Sequence, residues 1–119
     1  MTWYLHVSHP RPEIKIDRNS TYLIINGRSC RPGTYTVPQG TIVKLTFKVV
    51  NSGGSGQAKI VVRDVRSGRT YYDRTVSMSQ GGSYSDQIAI TVDSELALQV
   101  VAYYLDTESN NWVQSDEYG

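Results

Sequence analysis

The chain has two histidines, His6 and His9, and paired histidines are common metal ligands. Residues three apart in a strand face opposite sides, so these two share an ion only if Pro10 ends the strand early. The acidic stretches Asp106–Glu108 and Asp116–Glu117 lack the dense Asp, Asn and Gly pattern of a calcium loop. The sequence therefore predicts no bound metal.

Cys30 is the single thiol, and it lies between Arg28 and Arg31, two cations that favour its thiolate form. A nucleophilic cysteine also needs a base and an oxyanion site, and no histidine is near it in the sequence. The serines lack a nucleophile elbow, and Gly53–Gly56 precede no helix, unlike the glycines of a phosphate-binding loop. We therefore expect no enzyme activity and no cofactor.

Aromatic side chains are the best candidates for a binding surface, because nine Tyr and two Trp occur against one Phe. Several form adjacent pairs, and neighbours in a strand point to opposite faces, so one of each pair is expected outside the core. Exposed Tyr and Trp side chains anchor protein interfaces or stack on sugars. The aromatic candidates for the interaction surface are Trp3, Tyr71, Tyr103 and Trp112.

Charge is unevenly divided along the chain, although the net charge is only +1. Residues 1–74 contain all 12 Lys and Arg with four acids, whereas residues 75–119 contain seven acids and no base. Such opposite charges either cancel within one molecule or attract copies head to tail. The acidic second part argues against a nucleic-acid partner. The charged candidates for the interaction surface are Arg63, Arg66, Arg69, Asp116 and Glu117.

Short strands must position these side chains, because no stretch has a helical period. Residues 41–49 alternate apolar and polar, and similar runs recur with polar turns between them. Seven to nine strands predict an antiparallel two-sheet β-sandwich with immunoglobulin-like Greek-key wiring, with a jelly roll as the alternative. Residues 1–119 indicate one domain, whose first 35 or so residues add extra strands. The predicted core residues are Leu45, Phe47, Ile60, Ile90 and Leu98.

A loop of Ser and Gly, Ser52–Gly56, separates two strands in the stretch VVNSGGSGQAKIVVRD. It has no side chain suited to catalysis. We expect it to cross from one sheet to the other, with glycine relieving backbone strain and leaving the tip mobile. A different flexible loop of equal length would then leave the stability nearly unchanged.

The stretches VPQGTIVKLTFKVVNSGGSGQAKIVVRD, SMSQGGSYSDQIAITV and LALQVVAYY have turns at Gly40, Asn51–Gly53 and Gly81–Ser83. In these turns the chain resembles the immunoglobulin-like, adhesion-related modules called CARDB domains, over residues 36–105. Those modules usually occur as repeats in long secreted chains, whereas one copy is present here. The resemblance implies a role in adhesion, spacing or assembly, and no catalysis.

No apolar run of about 18 residues that would span a membrane occurs, and the first residues do not resemble a signal peptide. We expect a chain made in the cytoplasm that binds other protein subunits as a homo-oligomer or coat lattice. The predicted function is a non-catalytic structural subunit of a virion surface, such as a minor capsid, turret or decoration protein, or of a similar extracellular surface assembly. The alternative is a secreted adhesion or carbohydrate-binding module with a glycan ligand, and a third possibility is an intracellular accessory domain.

Overall fold

A computed structural model describes residues 1–7 and 10–119 of the chain. His9, the second histidine of the possible metal pair, lies outside the described residues. The described part contains nine strands and one 3-10 turn at Arg18–Ser20. The strands are β1 (Ile14–Ile16), β2 (Tyr22–Ile25), β3 (Arg28–Cys30), β4 (Thr41–Asn51), β5 (Gly56–Asp64), β6 (Thr70–Met78), β7 (Ser83–Val92), β8 (Leu98–Asp106) and β9 (Asn111–Tyr118).

The strands form two antiparallel sheets around a shared core, which confirms the predicted β-sandwich. The first sheet has the order β3-β2-β4-β7, and β1 pairs with β4 beyond the end of β2. The second sheet has the order β6-β5-β8-β9. Because β4 pairs with β7 in one sheet and β5 with β8 in the other, the wiring is an immunoglobulin-like Greek key rather than a jelly roll.

The core forms from the alternating apolar residues of the long strands, since residues two apart point to the same face. Leu45 and Phe47 of β4, Ile60 of β5 and Ile90 of β7 are all buried, as predicted. Leu98 is only half-buried, because it lies where the sandwich opens at one end. The inward face of the strands was therefore assigned correctly from the sequence.

Strand β1 joins the two sheets along one side of the sandwich. The backbone N–H of Ile14 donates to Ser115 Oγ at 3.0 Å, and that of Ile16 donates to the Asp116 carboxylate at 2.9 Å. The Arg18 guanidinium lies 3.1 Å from the same carboxylate. Side chains of β9 thus accept hydrogen bonds from the backbone N–H groups on the edge of β1 that does not pair with β4.

The Ser-Gly loop crosses between the sheets as predicted, but its packing contradicts the expected mobile tip. The N–H of Gly54 donates to the Arg11 carbonyl at 2.9 Å. A Cβ added at Gly54 would lie 2.1 Å from the Pro10 carbonyl oxygen, and one added at Gly53 would lie 2.3 Å from the Arg11 carbonyl oxygen. Glycine is required here because two backbone segments approach closely, and not because the loop must flex.

The buried side chain of Asn51, the last residue of β4, holds this loop from the inside. Its oxygen accepts from the N–H groups of Glu13 and Gly53, at 3.1 and 3.0 Å. Its amide donates to the carbonyls of Gly54 and Met78, at 2.9 and 3.3 Å. Both polar atoms of the buried Asn51 side chain are therefore hydrogen-bonded, as buried groups must be. We name this end of the sandwich the closed end.

Asp64, the last residue of β5, organises the opposite end. Its carboxylate accepts from the Ala97 N–H at 2.9 Å, the Ser67 hydroxyl at 2.7 Å and the Arg66 N–H at 3.2 Å. These bonds lower the pKa of Asp64 from 3.8 to about 2, and the bond from the Ala97 N–H has the largest effect on it. The ionised carboxylate therefore ties the β5–β6 turn to the segment before β8.

Candidate functional site

The outward face of the second sheet combines aromatic and polar side chains. Paired residues of neighbouring strands point to the same side, so Lys59 stands beside Tyr103 and Arg63 beside Gln99. We name this face the aromatic platform. It consists of Lys59, Val61, Arg63, Gln99, Val101, Tyr103, Trp112, Gln114 and Glu117.

Two aromatic rings of the platform are fixed by one lysine. Lys59 Nζ lies 5.2 Å from the ring centre of Tyr103 and 5.0 Å from that of Trp112. Both distances are within the range of about 6 Å over which a cation is attracted to an aromatic face. Both rings are half-buried, so each keeps an accessible part while its orientation is restrained.

Four polar side chains form a hydrogen-bonded chain across three strands of the platform. Arg63 donates to the Gln99 side-chain oxygen at 2.9 and 3.2 Å, and Gln99 donates to the Glu117 carboxylate at 3.3 Å. Gln114 donates to the same carboxylate at 3.2 Å. In the pairing of β8 with β9, Ser115 has no partner and forms a bulge. Residues three apart in a regular strand point to opposite faces, but the bulge turns Gln114 and Glu117 to the same face.

Val101 shows that the platform is a packed layer. It pairs with Val61 and Glu117 on the outward face, outside the core cluster between the sheets, yet it is fully buried. The stems of long polar side chains must therefore cover it. Packing of this kind holds the polar groups in fixed positions, as ligand recognition requires.

The sequence identified Arg63, Tyr103, Trp112 and Glu117 as surface candidates, and the structure brings these four together on the platform. Three further platform residues, Lys59, Gln99 and Gln114, were not among the candidates. Gln99 could have been found from the sequence, because the alternation of residues in β8 places it on the outward face. The signal for Gln114 was hidden by the bulge, which changes the alternation of β9.

Three other candidates lie elsewhere and have partners within the molecule. Arg66 Nη1 is 2.6 Å from the Glu95 carboxylate. The Arg69 guanidinium lies 4.7 Å from the ring centre of Tyr71, which is the extra residue of a bulge in β6. These contacts restrain the two ends of the β5–β6 turn and do not extend the platform.

Asp116, one of the charged candidates, makes bonds within the molecule that support the fold. Its side chain is 20% exposed and binds both Arg18 and the backbone of β1. Burial acts to raise the pKa of Asp116, but the bonds from Arg18 and the Ile16 N–H lower it overall. Replacing Asp116 therefore perturbs the fold before it tests an interface.

The uneven charge along the chain is partly balanced within the molecule. Among the described residues, three of the four ion pairs join a base from the first part to an acid from the second. These are Arg11–Glu108, Arg18–Asp116 and Arg66–Glu95. Part of the opposite charge therefore cancels within one molecule, as one of the two alternatives predicts.

A second surface feature is a cavity of about 880 Å³ between the sheets, at the end opposite the closed end. Its floor includes the buried core residues Val43, Leu45 and Val100, and its walls include the half-buried Leu23 and Leu98. The sandwich core is thus open to the surface here. We name this cavity the open-end groove.

A third feature is the N-terminal arm, residues 1–7, which has no secondary structure. Trp3, Tyr4, Leu5 and Val7 are 85%, 81%, 93% and 76% exposed. Trp3, the remaining aromatic candidate, therefore lies on the arm and not on the platform. His6 is exposed on the same arm.

The groups considered for chemistry are dispersed or have structural roles. Among the described residues, no three His, Cys, Asp or Glu side chains are grouped to hold a metal ion. Cys30 lies half-buried in the wall of the groove, and its Sγ is 3.6 Å from the Arg28 carbonyl oxygen.

One further polar cluster joins the edges of the two sheets. The hydroxyls of Tyr72 and Tyr84 are 2.6 Å apart, and that of Tyr72 donates to the Asp86 carboxylate at 2.8 Å. Burial, followed by these two partners, raises the pKa of Tyr72. The Tyr72 hydroxyl therefore remains a protonated donor that links β6 to β7.

Across the described part of the chain there is no helix long and apolar enough to span a membrane.

Comparison with known proteins adds information about the fold. No family model matches the chain, and no curated protein does. Among solved structures, the chain is similar to the crystal structure of the C-terminal domain of wzt, with a TM-score of 0.53 and 12% identity. The match covers 92% of this chain and 72% of that one. At this identity the likeness shows a shared β-sandwich fold.

Proposed function

We propose that this protein is a non-catalytic structural subunit that assembles with further copies of itself, at a virion surface or in a similar extracellular assembly. The N-terminal arm carries the proposal. Four large apolar side chains lie within five consecutive residues, and each is at least 76% exposed. Exposed apolar patches of this kind mark protein contact sites.

The gain from burying the arm is large enough to support association. Trp3 and Tyr4 are 85% and 81% exposed, and burying the two removes roughly 300 Å² of surface from water. At about 25 cal/mol per Å², that burial contributes about 7 kcal/mol before the costs of ordering and association. Leu5 and Val7 add further apolar surface to the same contact.

Sedimentation velocity over a wide concentration range tests this proposal. The full chain is expected to form species larger than a monomer, while a chain lacking residues 1–7 stays monomeric. Because the contact is apolar, association should persist at about 1 M salt, where exposed charges are screened within about 3 Å. A monomer at every concentration would contradict the proposal, and loss of association in high salt would instead indicate contacts between charges.

A second candidate function is carbohydrate binding in an adhesion module, and the aromatic platform favours it. Tyr103 and Trp112 offer restrained rings, while Arg63, Gln99 and Glu117 offer fixed hydrogen-bonding groups. A sugar presents an apolar ring face and hydroxyl groups to a binding surface of this composition.

Tryptophan fluorescence tests the second candidate. The chain has two tryptophans, so Trp3→Phe leaves Trp112 as the sole tryptophan reporter on the platform. Titration with soluble neutral and acidic polysaccharides should give a saturable change in emission. Gln99→Ala should weaken that binding, whereas Ile42→Ala on the first sheet should not. No change with any polysaccharide would count against glycan binding.

A further inference from the structure

We infer that the N-terminal arm of one copy occupies the open-end groove of the next, so that copies join head to tail. This inference rests on the proposed function, and it names the partner surface. The arm supplies apolar side chains that its own molecule leaves exposed. The groove supplies a cavity of mixed lining whose floor is formed by the apolar core residues Val43, Leu45 and Val100 of a second copy.

The arm does not fill the groove of its own molecule, since Trp3, Leu5 and Val7 are 85%, 93% and 76% exposed. It emerges at the closed end, where Pro10 contacts the Ser-Gly loop beyond Asn51. Val43, in the groove, lies eight residues along β4 from Asn51, which is about 26 Å. Leu5 lies five residues from Pro10, so the chain lets it reach at most about 18 Å. The groove of one copy is therefore open to the arm of another.

The apolar side chains of the arm match the apolar floor of the groove. In an extended arm, Trp3, Leu5 and Val7 point to one face, which gives a continuous apolar edge. The groove holds about 880 Å³, close to the upper end of the range of about 300–1,000 Å³ for binding pockets. Strand β3, part of its wall, pairs only with β2 among the described strands. Its outer edge is therefore available for an added strand.

The position of the two surfaces determines the kind of assembly. Each copy carries one arm at the closed end and one groove at the opposite end. The contact joins two different surfaces, so it is heterologous and repeats from copy to copy. It builds a ring where the rotation closes and a filament where it does not.

A complementation experiment tests this contact with two variants. The first lacks residues 1–7 and keeps the groove. The second keeps the arm and carries Val65→Arg with Leu96→Arg. Both residues line the groove, so the two arginines place charge in it. The matched control is Ile42→Arg, because Ile42 is 62% exposed on the first sheet and does not line the groove. Circular dichroism confirms that each variant is folded.

The expected results follow from one arm and one groove per copy. The full chain and the Ile42→Arg control form species of more than two copies. Each of the two variants alone is monomeric, with self-association weakened at least about 30-fold. Mixed in equal amounts, they form a pair of two chains and nothing larger. A full chain that assembles while the mixture forms no pair would overturn the inference and leave the proposed function standing.

Site-specific cross-linking tests the same contact without charged groove substitutions. A variant with Leu5→Cys and Cys30→Ser has its one thiol on the arm. The chain lacking residues 1–7 has its one thiol, Cys30, in the groove wall. A short bismaleimide should join these two chains. Moving the second thiol out of the groove to the exposed position 42 of β4, with Cys30→Ser and Ile42→Cys, should abolish the product. Equal cross-linking to both positions would overturn the inference.

Discussion

Replacing Gly54 by alanine should destabilise the protein, although the same change in a mobile loop would stabilise it. The new Cβ would lie 2.1 Å from the Pro10 carbonyl oxygen and 2.8 Å from its carbonyl carbon. Overpacking against backbone costs about 1–3 kcal/mol. Weakening the 2.9 Å hydrogen bond from Gly54 N–H to Arg11 adds about 1 kcal/mol.

A smaller effect acts in the opposite direction. Alanine restricts the unfolded chain more than glycine does, which stabilises the folded state by about 0.4–1 kcal/mol. The expected net loss in the free energy of unfolding is therefore about 1–3 kcal/mol. Urea denaturation followed by circular dichroism measures this loss, and Ser52→Ala, at an exposed position of the same loop, is the matched control. A Gly54→Ala variant as stable as the original, or more stable, would refute the packed-loop explanation.

Three further predictions concern the core, the open end and β1. Phe47→Ala should cost about 3–5 kcal/mol in urea denaturation, because the ring is fully buried and packs edge-on against Tyr72 at 5.0 Å; a loss below about 1 kcal/mol would contradict its core position. The pKa of Asp64 is lowered from 3.8 to about 2, so its contribution to stability is complete above pH 4 or so and is lost as the pH falls toward 2. Asp64→Asn should make the unfolding free energy less dependent on pH in that window, and an unchanged dependence would exclude Asp64 as its source. Asp116→Ala should cost about 1–3 kcal/mol by leaving the Ile16 N–H without its partner, whereas the exposed Glu117→Ala should cost less than about 1 kcal/mol; equal losses would contradict the structural role of Asp116.

The sandwich was predictable because its strands carry a local pattern. The alternation along β4 is enough by itself to predict that Leu45 and Phe47 face the core, where both are buried. The number of strands then favours two packed sheets, as observed. The role of the Ser-Gly loop was not predictable, because it depends on Pro10 and Arg11, about 43 residues earlier in the chain. A local pattern of Ser and Gly has the same appearance in a packed loop and in a mobile one.

The candidate surfaces were predictable only in part, for a similar reason. Tyr103 and Trp112 were identified from residue type and alternation. Their alignment with Lys59 depends on strand register, and the position of Gln114 depends on a bulge in β9. The groove depends on how far the two sheets separate at one end. Its lining combines residues 21–45 with residues 92–100 and 118–119, which are distant in the sequence, so no local pattern marks it.

The fluorescence of Trp3 gives the most direct test that assembly buries the arm. Trp112→Phe leaves Trp3 as the sole tryptophan and keeps an aromatic ring beside Lys59. Trp3 is 85% exposed in a single copy, and its indole leaves water when the arm is buried. The emission of Trp3 should therefore shift to shorter wavelength as the protein concentration rises. The shift should occur over the same concentration range in which sedimentation shows association. Emission typical of exposed indole, at concentrations where the protein is assembled, would contradict burial of the arm in the contact between copies.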